Sequence, residues 1–428
     1  MLYLLKNRNF CLLFIGRIVT NVGDSLYYVA TMWLVHELGK DPFLTGLAGF
    51  LILLPKALQF LVGPLVDKWK IKKTLVFTQS LQAILLLFIP FAHATGILSV
   101  WMLLTFMPLV ACIEEFAYPT QTKALPLVLQ KSELVKGNAL FSFAYQGIDL
   151  VSNSVAGLLI AFFGAITIFW IDSITFTLAA LCFTFLKLPE QIVEINTFNN
   201  TSDKPVGRYR RDLIEGFRVV FRSYLWVFTV GAIVANFTIG MVVAILPTFS
   251  EKIGGVQTYG ILLSAISAGS LIGALLAPIL GRYHIGTLSI TCFFFGGISW
   301  ISAAIFPSLL FTACLFGLAW VPIGAVNVLF AGLIQSIVPN DILGRVNSVS
   351  YSLSISAMPI GSLVGGYLGK YIDSTLLFSI CGLGIIFIAL VWSIHPALRT
   401  LPPASQINAQ TLNIVATKLK SDSGREHI

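Results

Sequence analysis

Charged residues are scarce in this chain. Of its 428 residues, 11% are Asp, Glu, Lys or Arg, whereas 57% are hydrophobic, and the mean hydropathy is +0.88. An ordinary soluble domain has about 25% charged and about 45–50% apolar residues. The shortage of charge excludes a water-soluble fold of this length and indicates that the solvent of the chain is a lipid bilayer.

Several short motifs of enzymes and nucleotide-binding proteins are also missing. The sequence has no Gly-x-x-x-x-Gly-Lys-Ser/Thr phosphate loop, no His-Glu-x-x-His zinc motif and no Gly-x-Ser-x-Gly nucleophile motif. The six cysteines show no metal-ligand spacing, and all lie in apolar stretches where we expect small buried side chains. We therefore expect no enzyme activity, no metal and no cofactor.

Long apolar runs account for most of the chain. A helix needs roughly 20 apolar residues to cross a bilayer. Phe163-Gly164-Ala165 forms a short break between the fifth and sixth runs. The runs predict an all-α membrane protein with twelve spans, at residues 9–35, 43–66, 74–92, 99–120, 137–162, 166–187, 223–248, 258–280, 287–305, 309–335, 347–369 and 375–394.

The basic residues are distributed unevenly around these spans. If the N-terminus lies inside, 22 of the 27 Lys and Arg residues fall in cytoplasmic segments, and only Lys40, Lys252 and Lys370 fall outside. Cytoplasmic loops carry such an excess of Lys and Arg. The net charge of +8 therefore reflects membrane orientation and not nucleic-acid binding. We expect a multi-pass protein of the inner (cytoplasmic) membrane with both termini in the cytoplasm.

The two halves of the chain repeat each other at a shift of about 214 residues. Gly16 to Asn21 returns as Gly231 to Asn236, and Phe116-Ala117 returns as Phe330-Ala331. The repetition predicts duplicated halves. The predicted organisation is a first six-helix bundle at 1–187, a cytoplasmic linker at 188–222, a second six-helix bundle at 223–395 and a cytoplasmic tail at 396–428.

The end of the linker has an apolar face at helical spacing. The apolar face consists of Leu213, Ile214, Phe217, Val220 and Phe221. The other faces carry most of the basic residues, which are Arg210, Arg211, Arg218 and Arg222. This pattern indicates a basic amphipathic helix on the inner leaflet, with a plain solvated linker helix as the alternative.

The first half carries charges in its spans that the second half has lost. Charged groups inside a membrane are costly and are most often functional. Arg17, Asp24, Lys56, Glu114 and Glu115 correspond in the repeat to Ala232, Ile239, Ser270, Val328 and Leu329. We expect ion or proton chemistry in the first half and a less charged, apolar and aromatic surface in the second.

The first span presents a polar stripe. Arg17, Asn21, Asp24 and Tyr28 follow one another at helical spacing on one face about 16 Å long. Such a face must look into protein or water, so it is predicted to line a cavity. The alternative is that Arg17 and Asp24 only pair with neighbouring helices for packing or folding.

The fourth span contains two adjacent acids, Glu114 and Glu115. Tyr118 and Gln121 share the face of Glu114, which favours Glu114 as the cavity-facing acid and Glu115 as the interhelical one. Two neighbouring carboxylates in a medium of low dielectric constant do not readily both ionise, so at least one can carry a proton.

Polar residues also occur in the second, fifth and sixth spans. Asp149 of the fifth span is a further candidate for proton coupling. Lys56 can pair with either Asp149 or Asp24, and the sequence does not choose between them. Asp172 of the sixth span is interpreted as structural.

The end of the second span carries the first family motif. Gly63-Pro64-Leu65-Val66-Asp67-Lys68 resembles the cytoplasmic signature of the major facilitator superfamily. Gly344-Arg345-Val346-Asn347-Ser348 and Pro359-Ile360-Gly361 resemble its branch of macrolide-efflux and enterobactin-exporter proteins. The Gly-Pro that drug antiporters of the superfamily often carry in the fifth span is replaced by Ser152-Asn153, which leaves the direction of transport open.

The resemblance implies two pseudo-symmetric six-helix bundles that rock about a central cavity. It implies a gate motif of Gly63, Asp67, Lys68 and Arg345, in which Asp67 lies near the start of the eleventh span. The first, fourth, seventh and tenth spans would line the cavity. The implied cavity residues are Asn21, Tyr28, Tyr118, Gln121, Asn236 and Asn327.

The predicted function is proton-coupled efflux of small amphipathic organic molecules or drugs by alternating access. A dedicated exporter of an endogenous siderophore-like or lipid-like metabolite is the alternative, in which Arg17 and Lys56 would bind an anionic group. The expected partners are a small-molecule substrate, protons and the lipid bilayer, with no nucleic acid, and we expect a monomer.

Overall fold

The computed structural model describes residues 2–59, 69–130, 133–188, 214, 216–306, 308–338, 340–408 and 411. Throughout these residues the regular structure is helical. The helices are α1 (Arg8–Gly39), α2 (Pro42–Ala57), α3 (Ile71–Ala94), α4 (Val100–Val128), α5 (Leu134–Phe163), α6 (Ala165–Thr184), α7 (Leu225–Ile253), α8 (Val256–Leu280), α9 (Ile285–Ile305), α10 (Leu309–Ile337), α11 (Asn340–Ile355), α12 (Ala357–Leu368), α13 (Ser374–Ile394) and the short α14 (Pro396–Arg399).

At least one helix of the described residues overlaps each predicted span, and nine of these helices are long and apolar enough to cross a membrane. The second span, predicted at 43–66, is helical as α2 up to Ala57, and residues 60–68 lie outside the described part of the chain. The predicted break between the fifth and sixth spans is confirmed, because Gly164 separates α5 from α6 with a φ of 79°. Glycine adopts this left-handed backbone without the steric cost that a Cβ brings.

The eleventh span differs from its prediction. It was predicted as one helix over 347–369, but the chain forms α11 and α12 with a turn at Ser356 between them. Pro359 follows the turn, and a proline ring crowds the carbonyl four residues earlier, here that of Ile355, the last residue of α11. This clash accounts for the end of α11 at that residue.

Polar caps define the ends of the first two helices. The Asn7 side chain accepts hydrogen bonds from the backbone N–H groups of Asn9 and Phe10, at 3.0 and 3.2 Å. Asp41 caps α2 through the backbone N–H of Phe43 at 2.9 Å, and Pro42 occupies its first turn. These caps satisfy N–H groups that a helix start leaves unpaired.

The chain forms two compact units. The first contains residues 1–197, 243–267 and 366–371, and the second contains 198–242, 268–365 and 372–428. The first unit thus takes in the end of α7, the start of α8 and the end of α12. The division into bundles at 1–187 and 223–395 stays a prediction.

The same pairs of helices pack in both halves. In the first unit α3 packs against α4 and α6, and in the second unit α9 packs against α10 and α13. These are the third, fourth and sixth spans of each half. The sequence repeat therefore has a structural counterpart in the internal packing of each unit.

Small residues let helices of the second unit approach closely. A Cβ on Gly240 or Gly361 would collide with the backbone of the facing helix, at Met358 and Phe237 respectively. Trp300 is fully buried there among Phe316, Trp320 and Phe378. Close packing of this kind replaces the hydrophobic driving force, which is absent between helices in lipid.

The end of the linker is helical in its described part, where Ile214 and Phe221 of the predicted apolar face are 46% and 58% exposed. Residues 216–222 are helical, with Val219 and Val220 buried and Arg218 and Arg222 exposed. Phe217 stacks on Phe221 at 6.1 Å between ring centroids. Leu213, Arg210 and Arg211 of the predicted pattern lie outside the described residues.

The expectation that every cysteine is buried is wrong. All six are free thiols, but only Cys381 is buried, whereas Cys112 and Cys314 are exposed on their helices. A thiol is small and apolar enough to face lipid without cost, so burial is not required.

Matched glycines in the repeat give a test of this packing. A Cβ on Gly16 would lie 2.6 Å from the Cζ of Phe183, whereas a Cβ on Gly231 would meet only Ile388, at 3.6 Å. We expect Gly16→Ala to destabilise the protein by about 1–3 kcal/mol through overpacking. Gly231→Ala should be neutral or slightly stabilising, because alanine favours the helix.

Thermal unfolding in detergent, followed by the fluorescence of a thiol-reactive dye or by light scattering, measures the difference. Phe183→Leu should rescue Gly16→Ala by removing the ring. Equal melting temperatures for the two alanine variants would contradict the packing described for α1 and α6.

Candidate functional site

Arg17 lies at the centre of a polar cluster in the first unit. Its side chain is 2% exposed, and its Nη1 donates a hydrogen bond to Gln121 Oε1 at 3.1 Å. Its Cζ lies 4.6 Å from the ring centroid of Tyr118, in cation–π geometry. The stripe of α1 and the predicted Tyr118–Gln121 face of α4 therefore meet at this guanidinium.

The two acids of α4 differ in exposure. Glu115 is 7% exposed, whereas Glu114 is half-buried. Glu115 interacts electrostatically with Glu114 and with Lys56 of α2. Two acids and one base thus share a region of low dielectric constant, where charge interactions are strong. Their assignment to a cavity and to an interhelical contact stays a prediction.

The rest of the α1 stripe lies beside these charges. Asn21 is buried, and Asp24 and Tyr28 are half-buried. Tyr28 interacts electrostatically with Lys56. The neighbouring Tyr27 is buried and donates from its hydroxyl to the Met107 carbonyl at 3.2 Å, which fixes α1 against α4.

A chain of uncharged polar groups that was not predicted from the sequence joins α1 to α3. The Thr20 hydroxyl lies 2.9 Å from Gln79 Oε1, and Gln79 Nε2 donates to Gln82 Oε1 at 3.0 Å. Both glutamines are fully buried. Their spacing of three residues inside an apolar span was the available signal.

Asp172 of α6 is fully buried against α1. Its Oδ1 accepts a hydrogen bond from the Thr175 hydroxyl at 3.2 Å, and a Cβ on Gly23 would lie 2.8 Å from this oxygen. The glycine therefore makes room for the carboxyl group, in keeping with the structural interpretation of Asp172.

Several predicted site residues have no described side chain. Gly63, Asp67 and Lys68 of the gate motif lie outside the described residues, and Asp149 and Arg345 lie in helices whose side chains there are outside the description. Asn236 and Asn327 belong to the second unit. The Asn236 amide donates to the Ala232 carbonyl of its own helix at 2.9 Å, and Asn327 is exposed.

A family model described as transmembrane secretion effector matches residues 2–428. The chain belongs to this family of the major facilitator superfamily. The fold is therefore the all-α membrane fold of the major facilitators, and the protein is a multi-pass membrane transporter of a small-molecule substrate.

Relatives of this major facilitator protein match it over most of its length. It is 25% identical to the MFS-type transporter YvqJ of Bacillus subtilis (strain 168) over 389 residues, covering 88% of this chain and 89% of the relative. It is 25% identical to macrolide efflux protein A of Streptococcus pyogenes over 399 residues, covering 90% and 95%. It is 23% identical to the multidrug efflux pump Tap of Mycolicibacterium fortuitum over 410 residues, covering 92% and 97%.

Solved structures share the fold. The nucleoside transporter NupG superposes with a TM-score of 0.67 at 13% identity, over 90% of this chain and 98% of that chain. A bacterial homologue of the human lysosomal transporter Spinster, in an inward-facing and unoccupied conformation, gives a TM-score of 0.63 at 13% identity, over 96% and 97%. These similarities concern the fold alone.

Proposed function

We propose that this transporter exports small amphipathic organic molecules across the cytoplasmic membrane in exchange for protons, by alternating access. It works as a monomer with both termini in the cytoplasm. The similarity to a macrolide efflux protein and a multidrug efflux pump supports export as the direction and amphipathic drugs as the substrate class. The excess of Lys and Arg in the predicted inner loops supports the orientation.

One observation carries the proposal: the charges of the first unit lie within its membrane helices. Glu114, Glu115 and Asp24 are half-buried or buried on α4 and α1, with Arg17 and Lys56 as the nearby bases. Acids in such surroundings can bind and release protons within the membrane, as the proton relays of pumps and transporters do. Their repeat mates in the second half are uncharged, so proton exchange is assigned to the first unit.

Aromatic side chains on the same face provide apolar surface for a substrate. Tyr118 is 45% exposed although it packs on Arg17, and Tyr28 is half-buried. An amphipathic molecule can place its apolar body on such rings and a polar group near the charges. This arrangement favours substrate and protons using one region at different times, which is the requirement for exchange.

Purified protein in liposomes tests the exchange. Adding a macrolide or a cationic dye outside should alkalinise the lumen, because substrate that enters through inside-out molecules drives protons out. A lumenal pH-sensitive fluorophore measures the change, and liposomes without protein are the blank. Glu114→Gln and Asp24→Asn should each reduce the signal. An unchanged signal in both variants would show that the coupling groups lie elsewhere.

A dedicated exporter of an endogenous anionic metabolite is the second candidate, and the buried cation of Arg17 favours it. Deleting the gene and comparing growth under iron limitation with growth under drug challenge separates the two functions. Sensitivity to drugs alone supports general efflux, whereas a defect under iron limitation alone supports a siderophore-like cargo.

A further inference from the structure

The helix ends opposite the predicted cytoplasmic side carry contacts that the proposed function does not use. Within the first unit, the end of α1 meets the end of α7, the start of α2 meets the end of α12, and α5 meets α8. In each pair one helix comes from the first half of the sequence and the other from the second half.

The first contact is a histidine–glutamate pair. His36 Nε2 lies 2.7 Å from Glu251 Oε2, and the His36 side chain is 6% exposed while Glu251 is 67% exposed. The Thr248 hydroxyl lies 3.5 Å from the other ring nitrogen, Nδ1. The His36 ring is thus held between two groups of α7, one of them a carboxylate that water can reach.

The second contact is an ion pair between a lysine and an aspartate. Lys370 Nζ lies 2.9 Å from Asp41 Oδ2 and 4.9 Å from the Phe43 ring centroid. Close backbone contact accompanies it, since a Cβ on Gly366 would lie 2.6 Å from the Gly46 Cα.

The third contact is apolar. It involves α1 as well as α5, because Trp33 of α1 stacks on Tyr259 of α8 with ring centroids 5.7 Å apart. A Cβ on Gly260 would lie 2.6 Å from the Gly157 Cα, so α5 and α8 also touch through their backbones. All three contacts lie at helix ends that the charge pattern places on the outside.

We propose that His36 and Glu251 form a proton-binding site at the external end of the protein, and that a proton bound there favours closure of that end. The inference rests on the proposed alternating access and orientation. In an exchanger these helix ends must separate whenever the external side opens. Opening then exposes His36 to the external solution and moves Glu251 away from His36.

The direction of the pH effect on closure follows from the chemistry of the His36–Glu251 pair. Histidine is the side chain that ordinarily changes charge between pH 5 and 8. A protonated ring beside Glu251 makes a charge-assisted hydrogen bond, which is about twice as strong as a neutral one. External acid therefore closes the external end, and it does so after a proton has been taken up from outside.

Other charged and titratable groups lie near this site. Glu37 and Lys40 are on or next to α1, Lys252 is on α7, and Tyr259 faces α1 from α8. Asp41 and Lys370 form the second contact. None of these neighbouring groups is a histidine, the side-chain type that ordinarily changes charge between pH 5 and 8. A response in that range that is lost when residue 36 is changed therefore belongs to His36.

Spin-label distances test the proposal in the full-length protein. The labels are placed at Leu38→Cys and Gln257→Cys, two exposed positions on α1 and α8, with the six native cysteines changed to alanine. In lipid nanodiscs without substrate, the ratio of short to long distances should rise about fivefold between pH 8 and pH 5.5, the factor that corresponds to about 1 kcal/mol.

Three variants separate this site from other proton effects. His36→Gln should match the parent at pH 8 and lose the rise at pH 5.5, and Glu251→Gln should lose it too. Asp41→Asn should lower the short-distance fraction at both pH values and keep the rise. A rise that persists in His36→Gln overturns the proposal, even where liposome exchange succeeds. Its loss in His36→Gln supports the proposal even where liposome exchange fails.

Discussion

Glutamine at both Glu114 and Glu115 is expected to abolish proton-driven substrate accumulation and to leave substrate exchange intact. Glutamine keeps the size and hydrogen-bonding capacity of a protonated glutamate but cannot release a proton. The variant should therefore still move substrate between its two sides, without coupling that movement to a proton gradient.

The size of the effect follows from the energy of one proton. A charge that moves through 100 mV gains about 2.3 kcal/mol, which supports a concentration ratio of about 50. Everted membrane vesicles that contain the unmodified protein should approach this ratio for a neutral substrate exchanged for one proton. Vesicles with the double variant should fall to a ratio of about 1, the value without coupling.

The single variants are expected to differ. Glu114 is half-buried, whereas Glu115 is 7% exposed beside Glu114 and Lys56. In the proposed exchange Glu114 is therefore the acid that protons reach more easily. We expect Glu114→Gln to remove most of the accumulation and Glu115→Gln to remove part of it. Glu37→Gln, at an exposed position near the end of α1, is the matched control and should have no effect.

Two measurements on the same vesicles decide the outcome. Counterflow of labelled substrate, with no gradient, reports exchange, and accumulation with a gradient reports coupling. Loss of both in the double variant would indicate that the acids hold the structure together. Full accumulation in it would place proton coupling outside α4.

The spans were predictable because their signal is local. The apolar run at 9–35 corresponds to α1 (Arg8–Gly39), and the glycine at the break between α5 and α6 was visible in the sequence. The turn at Ser356 was not predictable from Pro359 alone. Pro55 and Pro90 lie inside unbroken helices, so the sequence shows where a helix can end but not which proline ends it.

The hydrogen-bond partners within the site were less predictable than the helix faces on which its residues lie. Helical spacing placed Arg17 on the stripe of α1 and Gln121 on one face of α4. The hydrogen bond between them joins residues 104 positions apart and depends on how the two helices cross. The same holds for Thr20 and Gln79, which are 59 positions apart. Periodicity predicts the direction in which a side chain points, whereas tertiary packing determines which residue it contacts.

The pair of His36 and Glu251 shows a further limit. The two residues lie 215 positions apart, close to the repeat shift, and neither lies in the interior of a predicted span. A sequence search that weighs only charges inside spans passes over contacts at helix ends. Such contacts become visible when coordinates show which ends meet.

Loss of the guanidinium at Arg17 is expected to lower transport by more than tenfold, an effect of roughly 1.4 kcal/mol or more. The Arg17 side chain is buried, donates to Gln121 and lies over the Tyr118 ring. A buried cation with these partners is held in one place, and in the proposed function it would set the local charge that the acids of α4 and the substrate meet. Arg17→Met keeps the apolar bulk and removes this charge.

Arg17→Lys is expected to restore little of the transport that is lost in Arg17→Met. Lysine has the same charge, but its ammonium is a compact point charge that lacks the flat, forked donors of a guanidinium. It cannot lie flat on the Tyr118 ring and reach Gln121 in the same geometry. Transport that depends on charge alone would recover with lysine, whereas transport that depends on this geometry stays low.

The ring partner offers matched variants. Tyr118→Phe keeps the aromatic face under the guanidinium and should retain most of the transport, whereas Tyr118→Leu removes the face and should lose severalfold. The measurement is initial drug uptake into everted vesicles, normalised to the amount of folded protein from gel filtration. Equal rates for the phenylalanine and leucine variants would assign the Tyr118 ring no part in holding Arg17.

A double-mutant cycle tests whether Arg17 acts through Gln121. Gln121→Leu alone removes one acceptor of the guanidinium, and the variant that combines Arg17→Met with Gln121→Leu removes both members of the pair. Residues in contact give non-additive effects, so the double variant should lose less than the two single losses combined. Additive losses would mean that Arg17 and Gln121 act independently, and that the charge of Arg17 serves transport through other contacts.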